Sequence, residues 1–256
     1  MRNATRMFAL LKKFWNRPRY TAFGRTDTGM VRDHNEDSFA VLADLGLYLV
    51  ADGMGGHNAG EVASRLAIET LIDYFTPARI RQMRGRDEET RHSLITGLHR
   101  ANRAVMDAAE YEPSYRGMGC TLVACRLDGA TLHTCHVGDA RCYVADRTGI
   151  TQVTTDHTGM TYQPQGDAER PRSRPVVTMA IGFAFQQDPE YHRLTLRPGQ
   201  QVLLCSDGLW SMVADAELHT ILMDAASPEE ACATLVERAN AAGGRDNITA
   251  LVVAPR

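Results

Sequence analysis

The chain has 256 residues, of which 44% are hydrophobic and 23% charged, as is typical of a globular protein with a substantial core. Its 28 lysine and arginine residues against 31 aspartate and glutamate residues give a net charge of −3, which argues against a general nucleic-acid binder. No apolar run approaches the roughly 18 residues of a membrane-spanning helix. The six cysteines form no CxxC pair, which favours free thiols in a reducing cytosol, so we expect a cytoplasmic protein.

Residues 1–20 form a basic extension that contains no acidic residue. Apolar residues recur in it at helical spacing, with basic residues on the other face: Met7, Phe8, Leu11, Phe14 and Trp15. This pattern suits weak contact with a membrane surface or a partner protein. A flexible or locally packed extension explains the same residues and is the favoured interpretation. Residues 21–256 are expected to form one domain.

Two strands and a helix are predicted at the start of that domain. Residues 38–41 and 47–51 are short apolar runs typical of strands, and the second ends in an Asp-Gly turn. Asn58, followed three residues later by Glu61, predicts the start of a helix that stops at residues 76–77. The expected buried face of this helix comprises Ala63, Ala67, Leu71 and Phe75.

A second helix is predicted over residues 94–108, after the polar stretch 84–89. The strands predicted after it are residues 120–127, 131–137, 141–145, 191–196, 201–205 and 248–253. Residues 157–175 form the one long irregular stretch, which contains three prolines and is long enough for a functional lid. A capping box at residues 227–230 opens a last helix, which stops at residues 243–244. This order of elements predicts a layered α+β domain and not regular βαβ alternation.

Acidic residues stand at the ends of the predicted strands. Five of them flank four strands: Glu36, Asp37, Asp52, Asp207 and Asp246. If these strands are neighbours, the carboxylates converge, and like charges at close range either raise their pKa values or bind cations. A set of oxygen ligands selects magnesium or manganese over zinc. For each of these sites taken singly, turn chemistry is the favoured explanation, because Asp-Gly is the commonest kind of turn.

Six motifs occur in a fixed order along the chain. They are Arg32-Asp33-His34-Asn35-Glu36-Asp37, Asp52-Gly53-Met54-Gly55-Gly56-His57, Gly117-Met118-Gly119-Cys120-Thr121, Gly138-Asp139-Ala140-Arg141, Ser206-Asp207-Gly208 and Asp246-Asn247-Ile248-Thr249. Together they closely resemble the metal-dependent serine/threonine protein phosphatases of the type 2C or PPM family, bacterial type. The resemblance covers about residues 23–253, and a chance match to six ordered motifs is negligible.

The resemblance implies a two-sheet antiparallel β-sandwich flanked by α-helices, with two Mn²⁺ or Mg²⁺ ions in a cleft at one end. It implies that Asp52 bridges both ions and that Asp207 and Asp246 complete the first. The carbonyl of Gly53 would help to hold the second ion, with Glu36 nearby through water. For one further acid two alternatives stay open, a ligand of a third, weaker ion or a turn residue between strands: Asp139.

The resemblance also implies a mechanism without a covalent phospho-enzyme, in which a water activated by both ions attacks phosphorus in line. Arg32 would clamp the substrate phosphate, since a guanidinium matches phosphate oxygens in a bidentate way. His57 would be the general acid for the leaving alkoxide, although a histidine in a glycine-rich turn is also explained as merely solvated.

The sequence departs from the family pattern at three places. Ala140 and Cys120 stand where serine or threonine is usual, outside the inferred ligands. The flap after Asp156-His157 is shorter than in most bacterial members and rich in proline. A third-ion ligand from this flap cannot be carried over, and Asp167 is only a guess.

Two cysteines offer a competing phosphatase chemistry. Cys135 and Arg141 satisfy the Cys-x5-Arg signature of cysteine-dependent phosphatases, as do Cys120 and Arg126. That mechanism needs a loop leading into a helix that lowers the pKa of the thiol, whereas both segments continue as strands. Structural thiols are therefore the favoured interpretation.

The predicted function is removal of phosphate from phosphoserine and phosphothreonine on proteins by a catalytic domain spanning residues 21–256, opposing a serine/threonine kinase. Two alternatives remain open, a non-catalytic relative that docks phosphoproteins and a metal hydrolase of small phosphoesters. The retained acids and the presence of Arg32 and His57 favour catalysis over docking.

Overall fold

The computed structural model of the chain describes residues 20–55, 59–163 and 172–256. Most of the basic extension lies outside these ranges, as do His57 and Asp167. Among the helices that the structure describes, none has both the length and the apolar character needed to cross a membrane.

Strands make up the centre of the fold. They are β1 (Tyr20–Asp27), β2 (Asp37–Leu42), β3 (Leu47–Met54), β4 (Gly119–Cys120), β5 (Leu122–Asp128), β6 (Thr131–Val137), β7 (Arg141–Asp146), β8 (Gly149–Gln152), β9 (Thr158–Gln163), β10 (Arg172–Val177), β11 (Glu190–Thr195), β12 (Gln201–Cys205) and β13 (Ile248–Pro255). The helices are α1 (Ala59–Tyr74), α2 (Pro77–Met83), α3 (Asp87–Tyr111), α4 (Asp207–Trp210), α5 (Asp215–Asp224) and α6 (Pro228–Ala241).

The strands form two antiparallel sheets and a separate hairpin. One sheet has the order β1-β13-β12-β7-β8, and the other has the order β11-β6-β5-β3-β2, with β4 paired to β3. The hairpin consists of β9 and β10. The predicted α+β fold with a two-sheet antiparallel sandwich is therefore confirmed.

Alternating side chains give each sheet two apolar faces, so the molecule has four layers. Between the sheets pack residues such as Tyr48, Val50 and Leu251, all of which are buried. On the outside of the second sheet lie α1 and α3, and on the outside of the first lie α5 and α6. The predicted inner face of the first helix is fully buried, namely Ala63, Ala67 and Leu71 of α1 and Phe75 directly after its end.

The predicted capping box of the last helix is formed, with its second bond shifted to the residue before the N-cap. Ser227 Oγ accepts a hydrogen bond from the backbone N–H of Glu230 at 3.2 Å, and Glu230 Oε2 accepts one from the N–H of Ala226 at 2.8 Å. Pro228 occupies the first helical position, where its missing N–H costs nothing. Local sequence signals therefore suffice to place the start of α6.

The structure corrects three predictions of local structure. Helix α3 starts at Asp87 inside the stretch predicted to be a polar connector, because acidic residues suit the first turn of a helix. The predicted strand 120–127 is interrupted at Thr121, whose N–H donates to the carbonyl of Asp52 at 2.8 Å. Much of the stretch 157–175 is not irregular but forms the β9–β10 hairpin.

Candidate active site

One cavity collects the predicted site residues that the structure describes. Its volume is about 270 Å³. The predicted residues that line it are Arg32, Glu36, Asp52, Gly53, Asp139, Asp207 and Asp246. Side chains separated by up to about two hundred positions in sequence therefore meet at one end of the sandwich.

Strand pairing explains why these residues meet. Asp52 lies near the end of β3 and is paired in register with Asp37 of β2. In the other sheet, Asp207 stands two residues after the end of β12, and Asp246 stands two residues before β13, the antiparallel neighbour of β12. Each sheet thus contributes acids from two adjacent strands.

Asn247 holds the loop before β2 against β13. Its Nδ2 donates to the carbonyl oxygens of Thr28 at 2.9 Å and His34 at 2.8 Å, and its Oδ1 accepts from the N–H of Glu36 at 2.8 Å. These three bonds span the segment that carries Arg32 and Glu36. Sequence reasoning named Asn247 within a motif but gave it no role.

Burial, together with the charges of neighbouring carboxylates, raises the pKa values of the acids in the cavity. Burial, followed by the charges of Asp37 and Asp207, raises the pKa of Asp52 well above its usual value. Burial is also the leading cause of the raised pKa values of Asp207 and Glu36. Burial, with the charge of Asp207, raises the pKa of Asp139 to about 6. Without cations, these groups bind protons more readily than free carboxylates do, and divalent ions would compete with those protons.

Arg32, the one guanidinium that lines the cavity among the described residues, is already paired. Arg32 Nη2 lies 2.7 Å from Asp246 Oδ2, and the side chain of Arg32 is about half exposed. Arg32 thus stands at the mouth of the cavity with donors left for an anion. The structure therefore places Arg32 at the site, where it forms an ion pair with Asp246.

The residues present fit divalent cations. Three buried oxygens at or beside the cavity have no hydrogen-bond partner among the described residues: Asp37 Oδ1, Thr121 Oγ1 and Asp207 Oδ1. Unpaired buried oxygens are costly unless a ligand satisfies them. The atoms available as metal ligands are all oxygens, which suits hard ions such as manganese and magnesium.

Comparison with known proteins decides the family. A family profile described as protein phosphatase 2C matches residues 31–240. The chain belongs to the protein phosphatase 2C family. It is a serine/threonine phosphatase, as are its relatives. The serine/threonine phosphatase stp of Listeria welshimeri is 33% identical over 241 residues, which are 90% of this chain and 93% of that protein.

Solved phosphatase 2C structures share the fold. The crystal structure of the Mycobacterium tuberculosis serine/threonine phosphatase PstP/Ppp has a TM-score of 0.78 and 32% identity, covering 93% of this chain and 99% of that one. The catalytic domain of PstP in complex with two manganese ions has a TM-score of 0.76 and 31% identity, covering 92% of this chain and 97% of that one. The full-length PstP of M. tuberculosis matches this chain over 246 residues with 37% identity. The match covers 91% of this chain and 44% of PstP. These relatives support a manganese-dependent phosphoprotein phosphatase.

The cysteine alternative fails in the structure of this phosphatase 2C. Cys135 is buried in β6, and burial raises the pKa of its thiol. The turn after β6 leads into strand β7 and not into a helix. Arg141 makes a two-pronged contact with Asp156, at 3.0 Å from Nε to Oδ1 and 2.7 Å from Nη2 to Oδ2. Neither an acidic thiol nor a free arginine is available there.

One acid beside the carboxylate cavity, Asp37, was named from the sequence but was not assigned a function. Asp37 is buried and accepts hydrogen bonds from Ser206 Oγ at 2.7 Å and Thr249 Oγ1 at 2.6 Å. Sequence reasoning placed it before a strand but assigned it no role. Its register opposite Asp52 was the missing information, since pairing between β2 and β3 is not visible in the sequence.

Proposed function

We propose that this phosphatase binds two Mn²⁺ or Mg²⁺ ions in the carboxylate cavity and hydrolyses phosphoserine and phosphothreonine by direct attack of water. The observation that supports it is the convergence of carboxylates from both sheets on one cavity with unpaired buried oxygens. Asp52 is proposed to contact both ions, and Asp207 and Asp246 to complete the first. The Gly53 carbonyl and, through water, Glu36 would hold the second.

When bound, two divalent ions supply a water activated for in-line attack and neutralise charge on the phosphoryl oxygens. Arg32 is proposed to bind the substrate phosphate, because its half-exposed guanidinium keeps donors that Asp246 does not use. His57 is proposed to protonate the leaving alkoxide. Asp139 is proposed either to hold a third ion or to act as a turn acid, since it lines the cavity from the turn between β6 and β7.

The proposed substrates are phosphorylated proteins in the cytoplasm, modified by a cognate serine/threonine kinase. Relatives named serine/threonine phosphatases support this class of substrate. Met30 and Val31, next to Arg32 in sequence, are 70% and 65% exposed. They offer apolar surface to the chain that surrounds a phosphorylated residue.

The substitution Asp52→Asn tests the proposal. We expect it to lower manganese-dependent hydrolysis of a phosphothreonine peptide by about a thousandfold or more, since metal assistance contributes several kcal/mol. Asp44→Asn is the matched control, because Asp44 is an exposed acid near the same strand. Cys135→Ala should retain activity.

Comparable rates for the Asp52→Asn and Asp44→Asn proteins would contradict the two-ion centre. A wild-type protein that binds the phosphopeptide in manganese without hydrolysing it would instead support the docking alternative. Hydrolysis of small phosphoesters but not of phosphoproteins would support the third interpretation.

A further inference from the structure

A second group of metal-ligating side chains lies away from the carboxylate cavity, on the edge strand β11 and its neighbour β6. His136 of β6 is paired in register with Glu190 of β11, and His192 follows two residues later on the same face of β11. That face turns towards the other sheet, because Leu132 and Leu194 of the same strands pack in the core between the sheets. The cluster therefore sits at the rim of the sandwich core.

Three ligand atoms in this cluster are close together. One atom each from His136, Glu190 and His192 lies within 4.8 Å of the other two. The ring of His136 is nearly parallel to that of His192, with centroids 6.1 Å apart and an angle of 22°. The ring of His136 also stacks on that of His157, with centroids 4.7 Å apart and an angle of 18°.

Glu190 is an anion whose partners are neutral groups or imidazoles. Within the described ranges, its close contacts are His157 Nε2 at 3.2 Å, His192 Nε2 at 2.9 Å and Thr155 Oγ1 at 3.3 Å, with no lysine or arginine ion pair. Burial opposes ionisation, yet the hydrogen bond from His157 and the nearby imidazoles hold the pKa of Glu190 below its usual value. A half-buried carboxylate that has no permanently charged partner is a favourable ligand for a metal cation.

The two ligating histidines keep nitrogen atoms without hydrogen bonds. The side chain of His136 is fully buried, and burial lowers its pKa to about 4. His136 Nε2 donates to the carbonyl of Thr155 at 2.8 Å and lies 4.0 Å from Glu190 Oε2, while Nδ1 has no hydrogen-bond partner among the described residues. His192 Nε2 is close to Glu190 but outside hydrogen-bond geometry. A histidine that holds a backbone carbonyl with one nitrogen and a metal with the other is the usual ligating arrangement.

His157 acts as an outer support of this cluster and not as a ligand. The N–H of Gly138 donates to His157 Nδ1 at 3.2 Å, so the proton of the ring is on Nε2 and points at Glu190. Such a hydrogen bond to a ligating carboxylate fixes its orientation. Gly138 precedes Asp139, so the cluster is connected to the turn that lines the carboxylate cavity.

We propose that His136, His192 and Glu190 form a transition-metal site, with zinc as the expected ion, separate from the oxygen-lined centre. Two imidazoles and one carboxylate are a common donor set for zinc, which leaves a further position open to water. Imidazole ligands favour zinc, whereas carboxylates suit manganese and magnesium. Zinc bonds of about 2.0–2.2 Å require the ligands to draw together, and the partly exposed side chains on the edge strand have room to do so.

Equilibrium dialysis of the full chain against Zn²⁺, in excess Mn²⁺ to fill the carboxylate centre, tests the site. We expect one further equivalent of zinc to bind. His192→Ala and Glu190→Gln should each weaken it by more than about tenfold, the loss that even an outer partner of a metal ligand causes. His92→Ala is the matched control, because His92 is an exposed histidine of α3, and should bind as the wild type does.

Cobalt provides a second measurement with the same variants. Co²⁺ bound in place of zinc should give visible absorption that His192→Ala abolishes and Asp52→Asn retains. The proposal is overturned if the wild type binds no further zinc, if His192→Ala binds it equally well, or if Asp52→Asn removes it. Far-ultraviolet circular dichroism of the His192→Ala and Glu190→Gln proteins checks that both fold. Neither His192 nor Glu190 is buried as deeply as His136. Because binding is measured and not hydrolysis, the outcome is independent of the proposed two-ion mechanism.

Discussion

Asp37 is a buried acid that connects the two sheets. It belongs to β2, and its hydrogen-bond donors are Ser206, which follows β12, and Thr249 of β13. Burial raises its pKa to about 7, although the hydroxyl donors favour the charged form. In the metal-free protein, Asp37 is thus an acid that the folded state keeps protonated far more readily than the unfolded chain does.

The stability of the metal-free protein should therefore depend on pH. Because folding raises the pKa of Asp37 from 3.8 to about 7, the free energy of unfolding should fall as the pH rises through that interval. Each unit of pKa difference corresponds to about 1.4 kcal/mol. Urea unfolding in a chelator measures this, and Asp37→Asn should flatten the dependence while Asp44→Asn should not. An unchanged slope in Asp37→Asn would show that other acids dominate.

A second prediction at the residue scale concerns the proposed role of His57 as general acid. General acid assistance matters most when the departing oxygen is basic. His57→Ala should therefore slow hydrolysis of a phosphoserine peptide by about a hundredfold or more, and that of an activated aryl phosphate much less. His92→Ala serves as the control. Equal losses on both substrates would remove His57 from this role.

At the scale of elements, the end of β3 approaches the start of α1 closely. The N–H of Gly53 donates to the carbonyl of Glu36 at 3.1 Å. A Cβ on Gly53 would overlap the carbonyl oxygens of Glu36 and Gly60, both of them backbone atoms. Only glycine fits, so this contact fixes the strand end that carries Asp52.

Gly53→Ala should disturb both folding and catalysis. Overpacking of this kind costs about 1–3 kcal/mol, and moving the Gly53 carbonyl should lower manganese-dependent activity. Gly129→Ala is the comparison, because Gly129 has φ +64° but no atom near its Cβ position. It should lose stability through backbone strain alone and keep its activity. Full activity in Gly53→Ala would contradict a role for this strand end.

At the scale of the whole molecule, the site joins the two sheets. Asp52 and Glu36 come with the sheet that contains β3, and Asp207 and Asp246 come with the sheet that contains β12. Ions held by acids of both sheets would crosslink the sandwich at one end, where carboxylates otherwise repel one another. Ligand binding to the folded state alone stabilises it by mass action.

Manganese should therefore raise the thermal stability of the whole chain. At a concentration of about one hundred times Kd the gain is about 2.7 kcal/mol for one site, which calorimetry detects as a higher Tm. Asp246→Asn should lose much of this gain, and Asp44→Asn should keep it. A Tm that manganese leaves unchanged in the wild type would contradict the crosslink.

Local sequence patterns predicted much of the secondary structure correctly. The runs 131–137 and 201–205 coincide with β6 and β12, and the capping box gave the start of α6, because these signals depend on neighbouring residues only. The strands β9 and β10 were hidden, since prolines and polar residues mask a hairpin that lies apart from both sheets. Strands β1 and β8 and helices α2, α4 and α5 were also missed, because their sequences show no strong periodic pattern.

The sequence by itself determined the ordered acidic motifs, the resemblance to the phosphatase 2C family and the type of metal that such oxygens prefer. The tertiary structure decided which acids share one cavity. It also decided that Asp37 joins Thr249 across 212 positions and that His136 meets Glu190 and His192 at the rim of the sandwich. The physical reason is that these contacts depend on strand pairing and register between distant segments, which no local pattern encodes.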